Sequence, residues 1–564
     1  MLRRNPNPRL HLVFLIFALA FLLLLARLVF VQIFQSPRLK SYAQDQHNVF
    51  IQIMPKRGLI LDGKYRELAV NAVSYSIFAT DKFQTPQDKI DKLSALLGLD
   101  KKDLAKKLNT PKKFVWLKRK ISPELAQQVK DLELSGVGQI REDKRFYPEG
   151  SFACHILGFT DIDNHGLEAA ELYYEPYLAG TKGWRLAQRD AKRREVICWN
   201  EQSILPLDGY NVVLTIDSII QNIAERHLRK AAAKYKATQG MAIVMQPKTG
   251  EILALCNYPE YDLNAFGDYP QQLRRNLAIS DMFEPGSSFK FVTVAAALEE
   301  KRVKITDKFY CEKGVYRLGR RILHDYKPYA ELNVKEIISH SSNIGTVKIA
   351  QTLEAKTLYK YIKDFGFGSL TDIDLPGEAK GIVRPVAQWS GISISSIPMG
   401  QEVGVTALQL ITAMSCLAND GILVKPKIVK SIQQKAGQEM KAFPTQEVRR
   451  VISSETANAL KEILTAVVEE GTGKLAQVAG YQTAGKTGTA QKAKAQGGYY
   501  KNKYVSSFVG FVPADQPLIA VLVVLNEPRP YFGGTVCAPV FSQIATETLR
   551  YLKMTNEAQT YGTE

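Results

Sequence analysis

Ser287 and Lys290, in FEPGSSFKFVTVAAALEE, are the only serine and lysine in the chain at the spacing Ser-x-x-Lys. A serine hydroxyl is a poor nucleophile until a base removes its proton, and a lysine can do so only if its amine is neutral part of the time. Burial and a neighbouring cation both lower a lysine pKa, so the pair calls for a buried Lys290 with a second positive group beside it. Pro285 and Gly286 break the chain and an apolar helix follows, which puts Ser287 in the first helical turn and Lys290 one turn on, on the same face. Unpaired N–H groups at that terminus favour negative charge, which suits an attacking oxygen and a developing oxyanion.

Two further elements fit this chemistry. The single Ser-x-Asn of the chain is Ser341-Ser342-Asn343. There Ser341 can relay a proton between lysine and leaving amine, and Asn343 can orient a substrate amide. Lys-Thr-Gly occurs twice, at 248–250 and at 486–488. The first copy precedes the serine and joins MAIVMQP to EILALCNY, where Lys-Thr-Gly-Glu is ordinary hairpin-turn chemistry. The second follows both other elements and runs on into Thr489 and Ala490, so it is expected to lie along a strand at the edge of the site. Lys486 is then the second cation. Lys486, Thr487, Gly488 and Thr489 suit a carboxylate at the end of the substrate, and the backbone N–H groups of Ser287 and Thr489 are the expected oxyanion hole.

The rival chemistries lack their frames. None of the seven histidines stands near a G-x-S-x-G, and His155, His324 and His340 are read as core or surface residues. EEGTGKLA fails as a phosphate loop, since Val468 replaces its first glycine and Leu475 its Ser or Thr. The six cysteines (154, 198, 256, 311, 416 and 537) are scattered singly, so no metal site or cofactor is expected and disulfide pairing is left open. The formal charge of +18 comes without any helix-turn-helix, zinc-finger or RNA-binding signature, and nucleic acid is excluded as a partner.

These residues need a scaffold. Ahead of it, LHLVFLIFALAFLLLLARLVFVQI (10–33) spans about 36 Å as a helix, enough to cross a bilayer core. Three arginines precede it and no acid appears before Asp45, which predicts a cytoplasmic N-terminus and the bulk of the chain on the far side. The run is too long for a signal-peptide core, and its one A-x-A lies inside it. The expected division is a tail at 1–9, an anchor at 10–34, a strand-rich stalk at 35–204, a larger domain at 205–555 and a tail at 556–564. Alternating residues after the anchor predict short strands, and 85–134 reads as a small helical insert that includes a helix starting at Ser122-Pro123. A short helix is expected around Leu167–Leu178, and a capped long one from Asp217. Two hairpins, MAIVMQP/EILALCNY and YVSSFVGFVP/LIAVLVVLN, with helices between and a closing helix FSQIATETLRYLKM, predict an α+β domain: one antiparallel sheet covered by helices.

The order S-x-x-K, S-x-N, K-T-G is shared by penicillin-binding proteins and class A β-lactamases, with Ser342 here where S-D-N has Asp. The whole chain resembles a class B penicillin-binding protein, a monofunctional peptidoglycan D,D-transpeptidase. PKRGLILDGKYRELAVN is similar to the family's RGxIxDRNGxxLAxN, matching at Arg57, Gly58, Asp62, Leu68 and Ala69 and departing at Gly63, Lys64 and Tyr65. RFYPEGSFACHILGFTDIDNHGLEAAE, GQEVGVTALQLITAMSCLANDG and GGTVCAPVF follow in the family's order. The resemblance implies a pedestal or dimerisation-like stalk and a penicillin-binding transpeptidase domain. It implies a Ser287 acyl-enzyme formed with release of D-alanine, transfer to an amine of a neighbouring stem peptide, carboxypeptidase activity on the side, and acylation by β-lactams. The compact stalk resembles the division type (FtsI-like, septal) more than the elongation type. It further implies an inner-membrane protein working beside a polytopic lipid-linked glycan polymerase and other division proteins. A β-lactam sensor or hydrolase of the same fold would share the motifs but is usually shorter and has no stalk.

Overall fold

The computed structural model describes residues 8–80, 86–108, 114–189, 195–196, 203–319, 321–494 and 497–561. The first seven residues of the expected N-terminal tail, the last three of the C-terminal tail, and Cys198 lie outside them. The chain forms two compact units, Met1–Lys56 with Gly180–Asp208, and Arg57–Ala179 with Gly209–Glu564.

In the first unit a helix at Pro8–Val29 continues through a π turn at Phe30–Phe34. It is long and apolar enough to cross a membrane, and none of its side chains is buried in protein. A helix that is apolar all round is covered by something, and for one of this length a bilayer is the ordinary cover. A strand at Asn48–Ile53 then pairs antiparallel with Gly183–Arg189.

The second unit begins with the stretch that holds Arg57. Its guanidinium meets the buried carboxylate of Glu171 at 2.6 Å, and Arg145 meets the other carboxylate oxygen, also at 2.6 Å. Tyr147 donates to the same group at 3.2 Å, so two buried cations share one satisfied anion. At Asp62 the carboxylate accepts from the N–H groups of Lys64 and Arg66, both at 2.8 Å, and the turn closes with Tyr65 at φ 65°. A bulky residue thus occupies a left-handed position where the resembling pattern has glycine, held there by the Asp62 bonds.

The strand Glu67–Ala79 pairs antiparallel with Val137–Phe146 and Val115–Ile121. The expected insert holds the helices Gln87–Leu97, Lys101–Leu108 and Pro123–Asp131, the last capped by Ser122 Oγ accepting from Leu125 N at 3.3 Å. It also holds the strand Val115–Ile121, which its many charges conceal: Leu117 and Ile121 are buried, while Lys118 is exposed and the half-buried Lys120 gives its amine to Asn164 Oδ1 at 2.6 Å. The helix expected over Leu167–Leu178 is two short ones, Ala169–Tyr173 and Glu175–Leu178, with Pro176 opening the second. Proline has no N–H for the preceding turn, so the helix restarts there.

Six helices and five strands of the remainder frame the site. The helices are α1 (Ser218–Tyr235), α2 (Lys290–Glu299), α3 (Asn343–Ala350), α4 (Ala407–Ala418), α5 (Ser454–Glu469) and α6 (Ala538–Tyr561). The strands are β1 (Gln239–Met245), β2 (Ile252–Tyr258), β3 (Ala484–Ala493), β4 (Tyr499–Val512) and β5 (Ile519–Asn526), in the antiparallel order β2-β1-β5-β4-β3. The central strand β5 is buried at every residue but its last, the pattern of a strand covered on both faces. On one face Ile220 and Leu228 of α1 and Phe541 and Ile544 of α6 pack against Val521 and Val523. On the other, α2, α5 and the wholly buried α4 join Leu522 and Val524 in the main core. The cap of α1 is where it was expected, with the Asp217 carboxylate accepting from Ile219 N at 2.9 Å. Both expected hairpins lie in this one sheet, and β3 is one of its two edges.

Candidate active site

Ser287 sits in a single 3-10 turn, Gly286–Phe289, that runs straight into α2 at Lys290. Gly286 has φ 57°, and a Cβ there would lie 2.9 Å from the Thr489 carbonyl, so the turn is pressed against β3. Gly488 seals the contact from the strand side, where a Cβ would meet Ser507 Oγ at 2.3 Å and the Pro285 carbonyl at 2.8 Å. Ser288 is buried and its hydroxyl donates to the Pro285 carbonyl at 2.9 Å, whereas Ser287 is half-buried.

Lys290 is fully buried. Its Nζ donates to the Ser341 carbonyl at 2.6 Å and to Asn343 Oδ1 at 2.8 Å, and lies 3.3 Å from Ser341 Oγ. Ser341 adopts φ 60°, uncommon for a residue with a Cβ, and that turn presents both its carbonyl and its hydroxyl to the lysine. Burial lowers the Lys290 pKa to about 7, opposed only by the Asp325 carboxylate. A group poised there is neutral part of the time at neutral pH, as a lysine base requires.

Lys486 is fully buried too, and burial together with the charge of Lys290 pushes it well below its ordinary value. It reaches Thr487 Oγ1 at 3.2 Å, and that hydroxyl bonds Thr472 Oγ1 at 2.9 Å. Thr489 Oγ1 accepts from Gly533 N at 3.0 Å. Being on the edge strand, this stretch of β3 turns one side of its backbone away from the sheet, alongside the Ser287 turn.

The eight residues expected at the site therefore come from four elements: Ser287 and Lys290 from the turn and α2, Ser341 and Asn343 from the entry to α3, and Lys486, Thr487, Gly488 and Thr489 from β3. Lys248 belongs to none of them. It is exposed in the β1–β2 turn, where Gly250 has φ 76° and Thr249 Oγ1 donates to Gln246 Oε1 at 2.9 Å. Five cysteines (154, 256, 311, 416 and 537) are buried and unpaired, and among the described residues no cluster of His, Cys, Asp or Glu is placed to hold a metal.

Two contributors were not read from the sequence. Thr472 belongs to the GTG discarded as a phosphate loop; its N–H donates to the Ser339 carbonyl at 3.1 Å and its hydroxyl reaches Thr487. Asp325 follows the hairpin of Val315–Leu318 and Arg321–His324, and its carboxylate receives the first N–H groups of α3. Nothing in its neighbourhood forms a motif. Toward the far end of β3 a cavity of about 520 Å³ is lined by Phe283, Glu284, Ile382, Arg384, Glu402 and Gln491.

Comparison with known proteins gives one direction. Residues 240–546 match the family described as penicillin binding protein transpeptidase domain, and 52–214 match the penicillin-binding protein dimerisation domain. The chain is 38% identical over 554 residues to stage V sporulation protein D of Bacillus subtilis, covering 96% of this chain and 85% of that protein. It is 32% identical over 562 residues to the peptidoglycan D,D-transpeptidase FtsI of Escherichia coli, covering 97% and 92%. Among solved structures, penicillin binding protein 3 of Mycobacterium tuberculosis in complex with aztreonam matches with a TM-score of 0.70 at 27% identity, covering 89% of this chain and 97% of that one.

Proposed function

The chain belongs to the penicillin-binding protein transpeptidase family, and we infer from that membership how its site works as a serine D,D-transpeptidase of peptidoglycan. Ser287 Oγ attacks the carbonyl of the penultimate D-alanine of a donor stem peptide while Lys290 takes the hydroxyl proton. The oxyanion is held by the N–H groups of Ser287 and Thr489. The C–N bond to the terminal D-alanine breaks, the proton passes by way of Ser341 to the departing amine, and an ester on Ser287 remains. The amine of an acceptor stem then attacks that ester, gives its proton back along the same route, and leaves a new peptide bond and a free serine. Water in place of the amine gives the carboxypeptidase side reaction. A β-lactam enters the first step as the donor does, but its ring amine stays tethered to the acyl group.

The observation that carries this reading is the buried Lys290 amine held by the Ser341 carbonyl and Asn343 Oδ1 one helical turn from a half-buried serine. A neutral amine has two N–H bonds; these two acceptors take both and leave the lone pair for the serine proton. Lys486 supports the same reading, since a substrate carboxylate arriving beside this desolvated lysine would restore its charge and anchor the donor chain.

With a stem pentapeptide and an amine acceptor, the full chain in detergent is expected to release D-alanine and form the cross-linked product. The rate should climb with pH and level off above about 7, the value to which Lys290 is lowered, because only its neutral form accepts the proton. Below that it should fall by about tenfold per pH unit. D-Alanine release with no cross-linked product at any acceptor concentration would make the chain a hydrolase.

The apolar helix at Pro8–Phe34 supports a single-pass membrane protein, and the three arginines before it support a cytoplasmic N-terminus with the stalk (35–204) and transpeptidase domain (205–555) outside. A relative named FtsI supports work in septal wall synthesis, beside a lipid-linked glycan polymerase that residues 10–34 can contact in the membrane. Depletion is expected to give filamentous cells; rounded cells would move the chain to the elongation type.

A further inference from the structure

We propose that Asp325 is a positioning residue for acylation: its carboxylate ties down the Ser341–Asn343 turn so that the Ser341 carbonyl and the Asn343 amide meet Lys290. The proposal rests on the reading of Ser287 as nucleophile and Lys290 as base.

The geometry is that of a carboxylate cap supplied from another part of the chain. Asp325 Oδ1 accepts from Asn343 N at 2.5 Å and from Ile344 N at 3.1 Å, and Oδ2 accepts from Ser342 Oγ at 2.5 Å. Those N–H groups open α3 and have no partner within the helix. Ser342 Oγ in turn accepts from Gly345 N at 2.9 Å, so the carboxylate, the hydroxyl and the first helical turn form one unit. The residue before it contributes as well: the His324 carbonyl accepts from Asn343 Nδ2 at 3.0 Å, which turns Asn343 Oδ1 toward Lys290. Ser341, held at φ 60°, is the residue that this unit anchors from its C-terminal side. Without the carboxylate, that backbone would relax toward commoner conformations and carry one of the two lysine acceptors with it.

Charge gives Asp325 a second, separable effect. The titratable groups facing Lys290 are Lys486 on β3 and Asp325, and those facing Asp325 are Lys290, the Cys311 thiol and the Tyr329 phenol. Among the described residues Asp325 is the anion that steadies the protonated lysine, and removing its charge must favour the neutral amine.

The test is the second-order rate of labelling by a fluorescent penicillin, measured on the full chain in detergent from pH 5 to 9. Asp325→Asn keeps the shape but loses the charge and one acceptor. It should label at least about tenfold more slowly at neutral pH, while the acid limb of its profile moves to lower pH by roughly half a unit or more. Asp325→Glu should bring the limb back. Ser342→Ala, which removes one of the three bonds and no charge, should slow labelling less and leave the limb in place. The limb is read within each variant, so partial misfolding does not shift it. A wild-type rate in Asp325→Asn, or a slower rate with an unmoved limb, overturns the proposal. Labelling that survives Ser287→Ala overturns the nucleophile assignment instead, and the two failures are told apart.

Discussion

Ser287→Ala abolishes covalent labelling by a fluorescent penicillin and stops D-alanine release from a stem pentapeptide. The expected effect is the largest available in this chain. Removing the nucleophile of a serine acyl-transfer site costs about a millionfold in turnover, because no other group can form the ester. The alternatives nearby are disqualified by their own bonds. Ser288 is buried with its hydroxyl given to the Pro285 carbonyl, and Ser341 holds a strained turn beside Lys290. The fold should not notice: one oxygen is lost from a half-buried side chain at the start of α2, a change within about 0.5 kcal/mol. An unlabelled variant that melts with wild type therefore reports chemistry, and one that still takes the label at Ser288 or Ser341 would move the nucleophile.

The catalytic motifs were legible because each is a short run of neighbouring residues. Ser-x-x-Lys is one helical turn, Ser-x-Asn a helix entry, and Lys-Thr-Gly-Thr a strand edge, so identity and order carry most of their meaning. Asp325 was not legible, since its partners stand 17 to 19 residues away in sequence and meet it only through the tertiary fold. Thr472 stood in a stretch rejected as a phosphate loop and given no other role: its glycines serve close approach to Ser339 and Val467 backbone, which a Gly-Thr-Gly spacing alone does not reveal. Among the elements, both hairpins of the five-stranded sheet follow from alternating and continuous apolar runs bounded by turns. The strand Val115–Ile121 was hidden because lysines with long stems line a strand as readily as a helix. Nor did local pattern indicate that the strand Asn211–Leu214 pairs with Ile60–Leu61 far upstream and Val429–Gln433 far downstream.

The two copies of Lys-Thr-Gly allow a paired experiment with its own control. Lys486→Ala should lower the second-order rate of penicillin labelling by about a hundredfold or more, whereas Lys248→Ala should leave it at the wild-type value. The loss at position 486 is one of anchoring. The substrate carboxylate loses a desolvated cationic partner, a cost of about 3 kcal/mol or more when one member of such a pair is truncated. Raising the pH should not recover the rate lost in Lys486→Ala, because the loss lies in anchoring the carboxylate, while the Lys290 pKa is set by burial and Asp325. Lys486→Arg is expected to fail as well, because the planar guanidinium does not fit a fully buried site shaped to an ammonium. At position 248 the side chain is exposed in a turn whose bonds are made by Thr249, Gln246 and Gly250, and losing it falls within about 0.5 kcal/mol. Equal rates for the two alanine variants would mean that burial on the edge strand does not distinguish the copies, and the assignment of Lys486 to the site would fall with it.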